Sequence, residues 1–590
     1  MRVTVRCDEP GGGLPHFWRS TGFTPARMLL DPDMQQAMAY AGSVPHGGIA
    51  WARPHYLLDL VSAAGPGAGS AAWDWSEMDR ALDVLVRNRI RPFFELMGNP
   101  SGRFSDFGDM AQLRAWRDLV HELALHLVGR YGRDEVRTWY FETWNEPDIG
   151  FGWRQWRDDP RPFCDYCDAC WDGLRAADPD LVLGGPGTCV PLSPLIKAFL
   201  AHCDAGTNRL TGERGIPLGF VSVHEKGVRA HPEDLNPNSL GICEREAAVV
   251  AYIREHHPRL AGLPFVNDEC DPQVGWGDTH TWRARPYYAA LAVKITHQHL
   301  RELVDGLGVS YGLLSNDNGF MGTWGQRTLV TRFRNDAGFA LVKKPVLNAM
   351  ALLAMLGDTR CAATVQGGSA DTGVLATRRG EDQVAVLVYN SRDEIMSSGS
   401  EHVTLAFEGM PFADGMLCHY RIDADHGDPY RVWEAGGAPA EPSPGLLTEM
   451  RRNQEPGLLG EPQAVVATHG RLTVDFGLPL PAVSLVLLSA KSPAPPSKVT
   501  GLRYEGYSNL HGGRDVLLLW DCLPSRCVRT YEVFCGGPES ESTARVNEPD
   551  LVCTAYLRAA AGEGSGTYAV RGVDYWGRAG EPSDSLHAPA

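Results

Sequence analysis

Two acidic clusters in this chain stand where a carboxylate can do chemistry. Phe141-Glu142-Thr143-Trp144-Asn145-Glu146-Pro147-Asp148 continues a β-type run that ends in an Asn-Glu pair and is stopped by Pro147. A second apolar run, Phe265-Val266-Asn267-Asp268-Glu269, also ends in acids. The carboxyl end of a strand is the catalytic edge of a (β/α)₈ barrel. Two carboxylates on strand ends there are the equipment for cleaving a glycosidic bond. Glu146 and Glu269 are therefore the candidate catalytic residues, with Asn145 set to hydrogen-bond a sugar hydroxyl. Asp268 and Asp271 are the rival acids of the second cluster. With Asn267 pointing inward, Glu269 does too, and Asp268 faces the helical layer. A general acid must hold its proton at rest, so partial burial and a neighbouring carboxylate are expected to raise the pKa of Glu146.

The elements that must position these groups are legible as alternation. Apolar runs at 17–22, 48–55, 92–98, 138–145, 181–185, 220–224, 263–269 and 310–316 read as strands. Between them lie amphipathic segments such as 75–88, 110–131 and 283–303, and 346–356 would close the set. Eight such units predict a (β/α)₈ TIM barrel over residues 16–360. Runs at 373–377, 383–389, 401–407, 417–421, 470–476 and 482–488 then alternate with Gly, Pro and Asp turns, which predicts a β-sandwich over 361–490. Residues 1–15 are assigned to it through a strand at 2–7, and 425–462 reads as a long ordered loop. A Pro-rich linker begins at Lys491, and strands at 516–520, 530–534 and 567–573 predict a C-terminal fibronectin type III-like module within 491–590.

The net charge of −17 argues against a nucleic-acid partner, which asks for a basic face. No apolar run is long enough to span a membrane. The first residues read as a strand and not as a signal peptide. The 14 cysteines show no framework spacing, and no Asn-x-Ser/Thr sequon with x other than Pro occurs. These features point to a reducing, bacterial-type cytoplasm, or to a secreted or periplasmic site if a leader was trimmed. Cys164, Cys167 and Cys170 recur every third residue without a partner pair or a His at metal spacing, so they read as helix residues and not as a metal site. The mechanism needs carboxylates alone, and no cofactor is called for. The sequence implies no particular oligomeric state.

Several ordered blocks resemble the α-L-iduronidases of glycoside hydrolase family thirty-nine. They are Phe17-Trp18-Arg19-Ser20-Thr21-Gly22-Phe23, Phe94-Glu95-Leu96-Met97-Gly98, Phe141 to Asp148, Gly184-Gly185-Pro186-Gly187, Asn267-Asp268-Glu269, Val274-Gly275-Trp276, Leu313-Leu314-Ser315-Asn316-Asp317-Asn318 and Gln326-Arg327-Thr328-Leu329. The late Val573-Asp574-Tyr575-Trp576 also looks like the family's last module. The resemblance implies a retaining exo-glycosidase that releases terminal α-L-iduronic acid from glycosaminoglycan-type oligosaccharides. A β-xylosidase and an inactive glycan-binding protein are its rivals. It makes Glu146 the acid/base and Glu269 the nucleophile. It assigns Arg327 and the backbone N–H groups of Gly275 and Trp276 to the uronate carboxylate, and His55, Lys226 and Asp317 to the sugar. Two departures stand out: Tyr56 follows His55 where the family suggests Trp, and Ser489 stands where a disulfide partner for Cys527 would be. A pairing of Cys522 with Cys527 is left open.

Overall fold

The computed structural model describes residues 1–590 except 65–72, 229–235, 276, 317, 318, 320, 321, 537–543, 549, 560–565 and 590. Eight parallel strands lie side by side in chain order: β1 (Ser20–Pro25), β2 (Trp51–His55), β3 (Arg91–Glu95), β4 (Tyr140–Glu142), β5 (Leu183–Thr188), β6 (Phe220–Val223), β7 (Phe265–Asn267) and β8 (Tyr311–Leu314). The ring closes where Leu314 N donates to Phe17 O at 2.9 Å and Ser20 Oγ donates to Leu314 O at 3.1 Å. This is a TIM-barrel-like fold. β1 lies three residues later than its apolar run, and most of the other strands are shorter than theirs. Thr143 to Glu146 and Asp268 to Glu269 therefore sit in turns beyond β4 and β7.

Alternation within the strands divides the barrel into two layers. Phe93, Phe220, Val266 and Leu313, with Trp51 and Tyr140 packed against them, fill the interior. Phe94, Phe141, Leu183, Val221, Phe265 and Leu314 face outward into the large core shared with the helices. Helices Ser76–Arg87 and Met110–Tyr131 form where expected. The segment at 283–303 is broken instead: Pro286 starts an α-helix, Pro286–Gln298, which runs on into a π-helix, His299–Asp305.

A ten-stranded sheet follows, and Arg2–Gly13 enters it antiparallel to Thr359–Gln366 and parallel to Gly399–Glu408. Strands Gln383–Asn390 and Ala482–Ala490 are buried on both faces. Val384, Val386, Val388, Val486 and Leu488 enter the sheet's own core. Ala385, Leu387, Tyr389, Val483, Leu485 and Leu487 pack into the barrel's core. The expected loop at 425–462 holds two helices, Pro429–Ala435 and Pro444–Arg452. Each has Pro at its first position and an acceptor before it: Asp428 caps Arg431 N, and Ser443 caps Leu446 N.

The last residues form a three-stranded and a four-stranded sheet around Val516, Leu518, Trp520, Tyr531, Val533, Tyr568 and Val570. They dock on the barrel through Arg526 Nη1 to Ala354 O at 2.6 Å and Thr554 N to Ser43 O at 2.9 Å. Ser489 Oγ lies 4.0 Å from Cys527 Sγ, so the two face each other as the resemblance implied. Among the described residues no disulfide forms, and Cys522 and Cys527 are not joined to each other. Cys164, Cys167 and Cys170 lie buried on helix Arg161–Ala177, where Cys170 accepts from Trp116 Nε1 at 3.3 Å. Among the described residues no helix is long and apolar enough to cross a membrane.

Candidate active site

Inward positions spaced by two carry the site. Two residues beyond the apolar plug of each strand come Arg53 on β2, Glu95 on β3, Glu142 on β4, Ser222 on β6 and Asp268 after β7, all buried. Arg53 is their hub. Its guanidinium lies 2.6 Å from Glu95 Oε1, 2.7 Å from Glu142 Oε2 and 2.7 Å from Asp268 Oδ2. Arg53 Nη1 donates to Glu269 Oε1 at 3.0 Å and to Asn145 Oδ1 at 3.3 Å. Burial opposes the charge of Arg53, but Asp268, Glu142, Glu95 and Glu269 together raise its pKa well above the ordinary value. Not every carboxylate of the cluster stays ionised as easily. Burial first, then Asp268 and Glu95, push Glu142 up to about 8 against the pull of Arg53. The Ser222 hydroxyl bonds to its other oxygen.

Asp268 corrects the alternation argument. Val266 fills the barrel interior, so Asp268 points inward with it. Asn267 points outward, donating to Glu246 Oε1 at 2.6 Å on helix Ser239–His256. Glu269 reaches the site because the chain turns after Asn267, not because of strand parity.

Glu146 and Glu269 meet over Lys226, which follows β6. Lys226 Nζ donates to Glu146 Oε1 at 2.9 Å and to Glu269 Oε2 at 3.2 Å. His224 Nδ1 lies 3.1 Å from Glu146 Oε1, and its Nε2 lies 3.4 Å from Asp268 Oδ1. His55 spans Glu95, at 2.7 Å from Nδ1, and Glu269, at 3.4 Å from Nε2. Glu146 itself has φ 45° and ψ 48°, a left-handed conformation that is strained for a residue before proline. Its N–H is held by Gly187 O at 2.9 Å. Gly187, at φ 62°, has no room for a side chain, because a Cβ would lie 2.7 Å from Trp144 O.

The charge state of Glu146 differs from the expectation. Burial does push its pKa up, but Lys226 and His224 more than reverse this and hold it at about 2. Glu269 is also held well below the usual carboxylate range, because His224 and Lys226 outweigh its burial. In return Glu269 and Asp268 outweigh the burial of His224 and raise it to about 10. Glu146, His224 and Glu269 offer ligand atoms all within 4.8 Å of one another, a spacing that would suit a metal ion. The ammonium of Lys226 already bonds both carboxylates there.

Arg327 lies buried beyond β8, with Nη1 3.0 Å from Asp271 Oδ2. Burial opposes its charge, and Asp271 leads the groups that raise its pKa. Gly275, at φ 94°, lies on the loop after Asp271. The structure thus interlocks Glu146, Glu269, Asn145, His55 and Lys226. It sets Arg327 beside them through Asp271, which lies two residues beyond Glu269. Trp276 and Asp317 fall outside the described residues. Arg53, Glu95, Glu142 and His224 are the members that sequence reasoning missed. The signal for the first three was a charged residue two places beyond an inward aromatic: Trp51 to Arg53, Phe93 to Glu95, Tyr140 to Glu142. A cavity of about 800 Å³ lies elsewhere, between Tyr40, Arg451, Asp515 and Tyr556, and none of these catalytic-face residues lines it.

Comparison with known proteins bears on the family and the fold. The model for glycosyl hydrolases family 39 matches residues 1–473, and that for the alpha-L-iduronidase C-terminal domain matches residues 507–589. The chain is 37% identical to the alpha-L-iduronidase of Homo sapiens over 609 residues, covering 97% of this chain and 91% of that protein. It is similar to the solved structure of a bacterial orthologue of the human enzyme, with TM-score 0.93 and 41% identity over 100% of this chain and 99% of that one. A β-xylosidase from Caulobacter crescentus shares the fold at TM-score 0.66 and 21% identity, over 83% of this chain and 100% of that one. The chain belongs to the glycosyl hydrolases of family 39.

Proposed function

We propose that this chain is a retaining exo-glycosidase that hydrolyses terminal α-L-iduronic acid from glycosaminoglycan-type oligosaccharides. The observation that carries the reading is the Glu146–Lys226–Glu269 bridge on the same barrel face as buried Arg327. Likeness to α-L-iduronidases along nearly the whole chain supports it. The contact of both glutamates with one ammonium suits a retaining pair, whose carboxyl groups lie about 5–5.5 Å apart.

In this reading Glu269, held ionised, attacks the anomeric carbon, and the leaving oxygen takes a proton from Glu146. Glu146 must acquire that proton as the substrate binds. When Lys226 turns from Glu146 to a sugar hydroxyl, burial and the charge of Glu269 raise the pKa of Glu146 against His224 alone. Once the glycosyl ester forms, the charge on Glu269 is gone. Glu146 falls again and takes a proton from the water that attacks the anomeric carbon and releases Glu269. Arg327, with the N–H groups of Gly275 and Trp276, holds the uronate carboxylate, a group its planar fork matches bidentately. His55, Asn145 and Asp317 contact sugar hydroxyls. Catalysis is assigned to the barrel over residues 16–360. The β-sandwich of 1–15 and 361–490 and a fibronectin type III-like unit within 491–590 brace it, the latter supported by its three- and four-stranded sheets around Trp520 and Tyr531.

Turnover of chromogenic α-L-iduronide, β-D-glucuronide and β-D-xyloside tests the reading. The iduronide should be hydrolysed fastest. A faster xyloside would make the chain a xylosidase, and measurable sugar affinity without turnover would make it a binding protein.

A further inference from the structure

Two loops on the catalytic face carry the groups assigned to the uronate carboxylate: 271–280, with Gly275, and 322–328, with Arg327. The loops are joined, His280 N donating to Gly325 O at 2.8 Å. Behind each sits a buried cation that forms no ion pair with Glu146 or Glu269.

Lys344 precedes helix Pro345–Ala354 and is fully buried. Its ammonium donates to three acceptors of one loop: Trp324 O at 3.1 Å, Gln326 O at 2.5 Å and Thr328 Oγ1 at 3.2 Å. Its backbone N–H donates to Leu329 O at 3.0 Å. The acceptors flank Arg327 on both sides. Arg283 treats the other loop in the same way, with Nη1 donating to Asp278 O at 2.7 Å and to Gly275 O at 3.4 Å, and Nη2 to Gln273 O at 3.4 Å.

The choice of lysine has a chemical reason. Three converging acceptors need three donors radiating from one atom, and among side chains the ammonium group supplies them. Among the described residues no carboxylate forms an ion pair with Lys344, so its charge is buried at a cost that only those acceptors offset. Burial, and then Arg283, press its pKa well below the ordinary value, in keeping with that cost. The helix that follows, Pro345–Ala354, is apolar but for Asn348, so the cation at its start stands apart from the residues after it.

We infer that Lys344 is a positioning residue that fixes the Arg327 loop, with Arg283 as its counterpart for the Gly275 loop. Selectivity for a carboxylate-bearing sugar then depends on two side chains that never touch it. The inference rests on the uronide reading above and deepens it.

The test compares Lys344→Met with Arg327→Met on a chromogenic α-L-iduronide and on the matching neutral α-L-idoside. Lys344→Met should lower kcat/KM for the iduronide roughly tenfold, chiefly through KM, because Arg327 loses its fixed geometry for a charge-assisted hydrogen bond. The idoside should stay within about twofold, since no carboxylate is at stake. Lys344→Arg should recover part of the loss. The double variant should lose no more than Arg327→Met alone, as coupled residues do. Equal losses on both substrates, or additive losses in the double variant, overturn the positioning role. An Arg327→Met that itself hurts both substrates equally sinks the uronide reading, and the inference with it, a result distinct from the first two. If Lys344→Met does not fold, Thr328→Val decides by removing one acceptor: a selective loss on the iduronide supports the inference, and an equal loss or none overturns it.

Discussion

Glu146 faces two demands that its neighbours set against each other. It must hold a proton when the glycosidic oxygen leaves, yet Lys226 and His224 keep it ionised at about 2. Glu146→Ala should therefore cost least on a substrate whose leaving group needs no proton. Azide, which attacks without a base, should restore part of that turnover. Steady-state rates on activated and unactivated iduronides check this, and equal losses on both would remove Glu146 from the acid/base role. Asn145-Glu146-Pro147 was legible because a strand stop, an amide and an acid coincide within three residues. Its charge state was not, because the deciding cations come from the loop after β6, some 80 residues away in the chain. His224 gives a second test. Its raised pKa, about 10, means that its protonation stabilises the fold in full below its unfolded value and that this contribution is lost as pH rises through about 10. Glu142, pushed to about 8, adds a decline that ends near that value, while His299, raised well above its ordinary value, and buried thiols such as Cys270 and Cys553, pushed up to about 11, add to the fall above it, so the share of His224 is read by comparing parent with variant between pH 8 and pH 10. In urea unfolding across that interval, His224 should contribute up to about 1.4 kcal/mol per pH unit of the fall in stability. His224→Gln should flatten the fall, and an unchanged slope would contradict the assignment.

At the scale of elements, the strand ends act as a set. Each of β2, β3, β4 and β7 sends one charged residue inward just beyond its apolar plug, and Arg53 joins them. Arg53→Met would leave Glu95, Glu142 and Asp268 buried without their shared cation. Breaking a buried pair by removing one partner costs about 3–5 kcal/mol, so a loss of that size should appear in denaturant unfolding, together with loss of activity. A variant as stable as the parent would mean that the carboxylates simply protonate and that the hub is dispensable. Strand positions were legible from apolar runs, but register was not. Taking Asn267 as inward brings Glu269 inward by alternation, whereas Val266 sets the parity and sends Asn267 to Glu246. The helices at Pro429 and Pro444 were missed because each is short and capped. Asp-Pro and Ser-Pro carried the signal that periodicity over so few residues does not.

At the scale of the whole molecule, the ten-stranded sheet shares its apolar residues between two cores. Gln383–Asn390 and Ala482–Ala490 send alternate side chains into the sheet's own interior and into the barrel's. Continuous apolar runs announced these strands, but a run buried on both faces does not say what lies on each. The last module docks through hydrogen bonds and burial, with Ser489 facing Cys527 at 4.0 Å. Ser489→Cys should therefore form a disulfide under oxidising conditions and raise the unfolding temperature, since such links contribute about 0–5 kcal/mol. Reductant should reverse the gain. Failure to oxidise, with both thiols still titratable, would show that the two positions do not approach as described.

The central claim is a covalent glycosyl-enzyme on Glu269 in an enzyme for uronides. A fluorinated iduronosyl fluoride, which forms that ester faster than water can hydrolyse it, should inactivate the enzyme with one label per chain. Peptide mass spectrometry should find the label on the fragment carrying Asn267-Asp268-Glu269, at Glu269. A label on Asp268, on Glu146 or nowhere, with turnover on the parent iduronide intact, would contradict the account.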